Sequence, residues 1–233
     1  MKRLIFFSII LFVYYNSLAQ ANPVFSREPL YITKQIEQTG DTLWILYDDG
    51  ENYNIELKNK EFELIRKIDY KTELYNGIPN KIYKDAQNNI WIELDNGIAV
   101  FDAGKWKHFS KENNNLAGNK INCFKSKDNI VWLGTDNGAT KYINNEFVLT
   151  LPGDSVFGYK SITSIEIQND TTTWFGMNNY YDGGYAKHTP DTLIMYKNSG
   201  NLNYVIDLKI FPANSDTLWV FTDGGGIIKV LTL

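Results

Sequence analysis

A short apolar stretch built around one tryptophan recurs five times along this 233-residue chain. It reads Leu43-Trp44-Ile45-Leu46, then Ile90-Trp91-Ile92, Val131-Trp132-Leu133, Thr173-Trp174-Phe175 and Leu218-Trp219-Val220-Phe221. The steps between tryptophans are 47, 41, 42 and 45 residues. Each stretch runs into a polar turn: Asp48-Asp49-Gly50, Asp95-Asn96-Gly97, Asp136-Asn137-Gly138, Asp182-Gly183-Gly184 and Asp223-Gly224-Gly225. Asp, Asn and Gly tolerate the positive φ of tight hairpins, so each turn joins two antiparallel strands.

Two more strands complete the unit. A third follows the turn at Ile98–Asp102, Ala139–Ile143 and Ile227–Leu231, and a fourth reads Phe62–Ile65, Trp106–Phe109, Phe147–Leu151 and Leu193–Tyr196. Upstream of the tryptophans lie alternating runs at Ile82–Lys84, Ile121–Lys125, Ile162–Ile167 and Val205–Ile210. Four short strands per period of about 40–50 residues are the signature of a propeller blade. The unbroken apolar second strand fits a strand covered on both faces, with one Trp per blade filling the space against its neighbour. No helical period stands out beyond the N-terminal leader. The expected fold is all-β, a five-bladed β-propeller of four-stranded antiparallel blades at about 28–67, 78–110, 119–151, 160–197 and 204–233. The fifth blade lacks an outer strand, and residues 23–27 are expected to supply it and so fasten the ring. A larger ring completed by another chain is the competing arrangement.

The leader follows the logic of export. Lys2 and Arg3 precede an apolar run from Leu4 to Tyr15, and the small residues Ala19 and Ala21 frame a cleavage site. This is the layout of a secretory signal peptide over residues 1–21, and the run is shorter than the roughly 20 residues a membrane span needs. The mature domain, 22–233, is expected in the periplasm or outside the cell, as a monomer. The full chain has 23 basic and 27 acidic residues, a net charge of −4. That argues against nucleic acid as a partner, because phosphates call for a basic face. One cysteine excludes an intrachain disulfide and any multi-cysteine zinc site.

The segments Ile121-Asn122-Cys123-Phe124, Asp128-Asn129-Ile130-Val131-Trp132-Leu133-Gly134-Thr135-Asp136-Asn137-Gly138 and Tyr142 together resemble the two-component regulator propeller repeat. Asn88-Asn89-Ile90-Trp91-Ile92, Asp95-Asn96-Gly97-Ile98 and Phe101-Asp102 are similar to it as well. The likeness is good in blades two and three, partial in one and five, and weak in four. It implies kinship with the periplasmic sensing halves of bacterial hybrid histidine kinases, especially those of Bacteroidetes, without the kinase or membrane parts. The repeat's Gly two residues after the Trp is kept at Gly134 and Gly176 and replaced by Leu46, Glu93 and Phe221 elsewhere.

Candidate chemistry gathers where the second-to-third-strand turns open. Asp95, Asp136, Asp182 and Asp223 fall on one rim there, and a carboxylate ring is the kind of oxygen-rich site Ca²⁺ takes. Hairpin formation selects the same aspartates without any ligand, so no metal site is assigned. Blade four breaks the pattern with Asn178-Asn179-Tyr180-Tyr181-Asp182-Gly183-Gly184-Tyr185. Asn179, Tyr180, Tyr181, Asp182 and Tyr185 combine flat aromatic faces with amide and carboxylate groups, a mixture suited to a glycan or a protein of the cell envelope. Glu93 puts a carboxyl into a strand expected to be buried, where it needs a partner or a proton; an ion pair to a neighbouring blade is the expected solution. His108, His188 and Cys123 form no triad and read as packing residues. No catalytic residue is assigned. The chain reads as a non-enzymatic binding module needing no cofactor; the alternative is a carbohydrate-active enzyme, which requires two carboxyls at a set separation.

Overall fold

The computed structural model describes residues 32–48, 53–102, 104–114, 116–153, 156–158, 161–178, 183–197, 205–210, 216–223 and 225–232. The leader and the segment 23–27 assigned to the fifth blade lie outside them. Residues from Ile32 onward form one compact unit.

Alternating and apolar runs punctuated by Asp/Asn/Gly turns fold into five antiparallel sheets, each built in chain order. The first holds β1 (Ile32–Thr39), β2 (Thr42–Asp48), β3 (Tyr53–Lys58) and β4 (Leu64–Ile68); the second β5 (Pro79–Lys84), β6 (Ile90–Leu94), β7 (Gly97–Asp102) and β8 (Lys105–Phe109). The third holds β9 (Ile121–Lys127), β10 (Ile130–Thr135), β11 (Gly138–Ile143) and β12 (Glu146–Pro152); the fourth β13 (Ser161–Ile167), β14 (Thr173–Asn178), β15 (Gly184–His188) and β16 (Leu193–Lys197). Three described strands make the fifth: β17 (Val205–Ile210), β18 (Thr217–Thr222) and β19 (Gly226–Leu231). Among the described residues two single-turn helices sit in the connections, α1 (Tyr70–Glu73) and α2 (Lys111–Asn114). Asp69 starts α1 by accepting from the Lys71 amide at 2.9 Å and the Thr72 hydroxyl at 3.0 Å, the role of an N-cap carboxylate. At one turn each, neither helix leaves a period to read. The fourth strand of the first sheet begins later than Phe62: that residue has φ +66° and belongs to a turn closed by its amide on the Asn59 carbonyl.

Consecutive sheets meet through their tryptophans. Trp44 packs with Ile82, Ile90 and Ile92 of the second sheet, and its ring lies 5.8 Å from Phe101. Trp91 meets Phe124 and Tyr142 of the third at 5.8 and 4.9 Å. Trp132 meets Phe175 of the fourth at 4.9 Å, and Trp174 joins Val205, Leu208 and Leu218 of the fifth. Every one of these rings faces the sheet that follows it in sequence. Because β10 is covered from both sides, all six of its residues are buried. In β18 burial alternates instead: Leu218, Val220 and Thr222 are buried, whereas Trp219 and Phe221 are half-exposed.

The indole N–H groups need acceptors inside these seams. Trp44 Nε1 donates to Thr39 Oγ1 at 2.9 Å, Trp91 to Asp85 Oδ2 at 3.0 Å and Trp174 to Gln168 Oε1 at 2.9 Å. All three acceptors sit two residues beyond the one that faces the Trp across the ladder. The matching residue of the third sheet is Lys127, and Trp132 Nε1 is buried without a partner.

One further feature repeats in all five sheets. The first strand carries a bulge near its start, between Thr33 and Gln35, Pro79 and Lys81, Ile121 and Cys123, Ile162 and Ser164, and Val205 and Asp207. Lys34, Asn80, Asn122, Thr163 and Ile206 are the extra residues. A bulge leaves one residue without a ladder partner and re-aims its side chain.

Candidate functional site

The bulges determine how the first strands of neighbouring sheets are tied together. In the first seam Gln35 binds the Ile82 backbone twice, its amide donating to the carbonyl at 2.5 Å and its oxygen accepting from the N–H at 2.9 Å. In the third, Asn122 donates to Ser161 Oγ at 2.7 Å and Cys123 Sγ reaches the Ile162 carbonyl at 3.8 Å. In the fourth, Thr163 Oγ1 donates to the Val205 carbonyl at 2.5 Å.

Glycine lets the third and fourth seams close so tightly. A Cβ on Gly134 would run into Cys123 Sγ and lie 2.7 Å from Ile162 Cγ2; one on Gly176 would run into Ser164 Oγ and lie 2.7 Å from Val205 Cγ1. Real side chains do not tolerate such approaches, so only glycine fits.

Glu93 stands at that same position in the second sheet, and the seam it faces is built differently. Its carboxylate accepts from the Tyr83 hydroxyl at 2.9 Å. Tyr83 in turn stacks on Phe124 of the third sheet at 4.8 Å and 11°, and the Lys81 ammonium lies 4.9 Å from the centre of its ring. Burial raises the Glu93 pKa above the usual carboxylate range, opposed by the Tyr83 hydrogen bond and by the Lys81 and Lys120 charges. Tyr83 is pushed far above the normal phenol range by burial and by the adjacent Glu93 charge, so it stays a donor. Asn80, Lys81 and Lys120 are exposed around this pair. Among the described residues no hydrogen bond ties β5 to β9 as the other three seams are tied. The outcome is a half-buried carboxyl with a fixed phenol donor, two exposed cations and an exposed amide at the start of one seam.

The sequence singled out Glu93 but expected an ion pair across blades; its hydrogen-bond partner is Tyr83 of its own sheet. Nothing in the sequence announces the bulges, since an extra residue changes neither composition nor turn chemistry.

The other candidates take varied places. Asp95 and the connection before β5 hold each other: the Ile78 amide donates to its carboxylate at 2.8 Å, and its own amide donates to the Ile78 carbonyl at 3.1 Å. The Asp136 amide donates to the Lys120 carbonyl at 3.1 Å, its carboxylate lying against the Gly118 backbone. Asp223 is exposed. Tyr185 is only 8% exposed; its ring stacks on Tyr196 at 4.8 Å and 13°, within the core shared with the fifth sheet. Asn179, Tyr180, Tyr181 and Asp182 lie outside the described residues. Among the described residues no three His, Cys, Asp or Glu side chains cluster tightly enough to hold a metal ion, and the carboxylate of Asp95 is already engaged by its own connection. His108 stacks on Tyr75 at 5.0 Å with Nε2 3.1 Å from Asn96 Oδ1. His188 packs edge-on against Trp132 at 5.6 Å.

Solved structures share this architecture. One is the extracellular domain of a hybrid two-component system from B. thetaiotaomicron, at TM-score 0.55 and 17% identity, matching 83% of this chain and 26% of that one. Another is PorZ, a bacterial surface component of the type-IX secretion system of Porphyromonas gingivalis, at TM-score 0.60 and 15% identity over 87% of this chain and 27% of that one. A third is YCF48 bound to D1 peptide, at TM-score 0.55 and 11% identity over 90% of this chain and 67% of that one. The fold is of the β-propeller type. At these identities the likeness to other propellers is one of fold. This propeller spans about a quarter of the length of the first two chains it matches. No protein-family model and no curated protein sequence matches it. No helix among its described residues is long and apolar enough to cross a membrane.

Proposed function

We propose that this chain is an exported binding module, a five-bladed ring related in role to periplasmic sensor propellers, that recognises a glycan or an envelope protein at the seam between its second and third sheets. The observation that carries the reading is Glu93. A carboxyl occupies a position where the tight seams have glycine, and its burial is a cost that a structural role alone would have removed. With Tyr83 fixed as a donor and Lys81, Lys120 and Asn80 around it, the seam offers both donors and acceptors to a polar ligand. The fold neighbours support a binding role: two act at the cell surface or as extracellular domains, and a third was solved with a peptide bound.

The non-enzymatic part of this reading rests on chemistry. Glycoside hydrolysis needs two carboxyls facing a substrate, whereas the groups acting on Glu93 are the Tyr83 phenol and the Lys81 and Lys120 ammoniums.

A glycan array and an envelope pull-down, each run with the native chain and with Glu93→Gln and Lys81→Ala/Lys120→Ala variants, test the proposal. Binding that falls in the variants supports it. Binding that ignores all three substitutions moves recognition elsewhere, and glycan cleavage abolished by Glu93→Gln replaces the reading with the enzymatic one.

A further inference from the structure

The polar groups around Glu93 narrow what the seam between the second and third sheets can hold, given the binding role proposed for it. Lys81 and Lys120 are both exposed, and among the described residues neither ammonium is in an ion pair. Lysines at the other seams are already committed to carboxylates: Lys34 to Asp48 at 3.4 Å and Lys125 to Glu166 at 2.5 Å. The carboxyl whose charge Lys81 and Lys120 would balance is Glu93, and burial favours its protonated form. Of the flanking aspartates, Asp95 is held by the Ile78 amide and Asp136 lies against the Gly118 backbone. Two cations thus stand beside a carboxyl that resists becoming their anion.

Each element packed against Glu93 adds to this balance. β5 brings Lys81 and Tyr83, and the connection before β9 brings Lys120. β9 brings the Cys123 thiol, which burial keeps neutral. Ile98, opposite Glu93 on β7, brings no charge. The Tyr83 hydroxyl donates to Glu93 Oε2 at 2.9 Å, which leaves Oε1 to carry the proton. The exposed residues of the rim, Asn80, Lys81 and Lys120, are all polar, while their apolar chain neighbours Ile82 and Ile121 are buried, as is Leu94 beside Glu93. Protein partners draw on apolar and aromatic anchors, and this rim offers none. A sugar is polar all round, and its hydroxyls suit the Asn80 amide.

Resting on that binding role, we propose that the seam receives the anionic group of an acidic sugar, a uronate carboxylate or a sulfate ester, held by the Lys81 and Lys120 ammoniums and by a hydrogen bond from the Glu93 carboxyl. A hydrogen bond from a neutral acid to an anion is charge-assisted and short. The same bond is lost when Glu93 ionises, because two anions then face each other. Binding therefore takes up a proton at Glu93, and affinity falls by up to about tenfold per pH unit as pH rises through its folded pKa.

Calorimetry on the full chain tests this with trigalacturonic acid, its methyl ester, a sulfated galactotriose and hexaglutamate between pH 5 and 8. At pH 5 an acidic sugar should bind about tenfold more tightly than the neutral ester, and the tighter of the two identifies the anion. That preference should disappear in Lys81→Ala/Lys120→Ala, two exposed sites that should not disturb folding. Glu93→Gln keeps a donor but has no proton to gain or lose in this range. It should bind more weakly at pH 5 and show no pH dependence, whereas a purely structural Glu93 would leave the pH slope intact. Equal binding of acid and ester, lost in the lysine variant, would overturn the acidic class and keep the seam as the site. Binding that ignores the lysine substitutions would overturn both. Tighter binding of hexaglutamate than of either sugar would replace the sugar with an acidic protein. No binding of either acidic sugar would overturn the proposal and leave the wider binding role to the envelope pull-down.

Discussion

Lys127 occupies the place in the third sheet from which an acceptor should reach Trp132. Its ammonium donates to the Gln168 carbonyl of the next sheet at 3.0 Å, while the Trp132 indole N–H stays buried and unbonded. The sister position holds Thr39, Asp85 or Gln168, each with an oxygen that takes the indole proton. One sheet has traded an internal hydrogen bond for a tie to its neighbour.

Restoring an acceptor should therefore stabilise the chain. Lys127→Gln supplies the oxygen that Gln168 supplies in the fourth sheet, and satisfying a buried donor contributes about 1 kcal/mol. Urea unfolding should show that gain, reduced by whatever the lost Gln168 tie contributes. In a Trp132→Phe background, where no N–H remains, Lys127→Gln should give no gain.

Gly134→Ala should destabilise by about 1–3 kcal/mol, the usual cost of overpacking a closed interior. The new methyl would strike Cys123 Sγ and the Ile162 side chain, so the third seam must spread. Adding Cys123→Ala should recover part of the loss. A thermal melt of Gly134→Ala that matches the native chain would refute the close approach.

Two glutamates should respond to pH in opposite directions. Burial raises the Glu93 pKa, so the folded state holds this proton more tightly than the unfolded chain. The resulting stability is present below the unfolded carboxylate pKa and fades as pH rises through the folded value. Glu93→Gln should accordingly match the native chain in acid and exceed it at neutral pH. For Glu56, burial is outweighed by the Lys67 and Tyr47 hydrogen bonds and the Lys58 charge, and its pKa falls. Its contribution is present above the unfolded pKa and disappears as pH drops through the lowered value, so Glu56→Gln should destabilise at neutral pH and cease to matter in acid. Urea midpoints measured between pH 3 and 8 would separate the two.

Cys123 should be inert to thiol reagents in the folded chain. Part of the residue reaches solvent, but its sulfur lies in the third seam against Gly134 and the Ile162 carbonyl. Burial pushes the thiol up to about 12, and the thiolate is the reactive form. Ellman's reagent should react only after denaturant is added; rapid labelling under native conditions would place the sulfur elsewhere.

The repeated stretch was legible because its spacing is imposed by packing. Trp44, Trp91, Trp132 and Trp174 recur at one strand position since each must face the following sheet, and the Asp-Asn-Gly turns are demanded by φ at residues such as Gly97 and Gly138. The oddity of Glu93 was equally visible against Gly134 and Gly176. Its partner was not. Tyr83 reaches Glu93 because it lies two residues along β5 from Lys81, which faces Glu93 across the ladder, and that register depends on the bulge at Asn80. Asn80, Asn122 and Thr163 look ordinary in sequence, because a bulge asks for an extra residue and not for a particular one. Tyr185 carried the mixed polar and aromatic character of a recognition residue, yet the same character lets it stack on Tyr196 and lean tilted against Trp174.

Trp44, Trp91, Trp132 and Trp174 each serve the sheet after their own, which gives the array a direction. Trp219 and Phe221 line an apolar cavity of about 320 Å³ together with Lys209 and Ile210, and beyond them Ile227 and Leu231 are 63% and 64% exposed. Burial is continuous along β10 and alternates along β18, and amides open most slowly where the surrounding packing is densest. Hydrogen exchange should therefore be faster in β17–β19 than around Trp132.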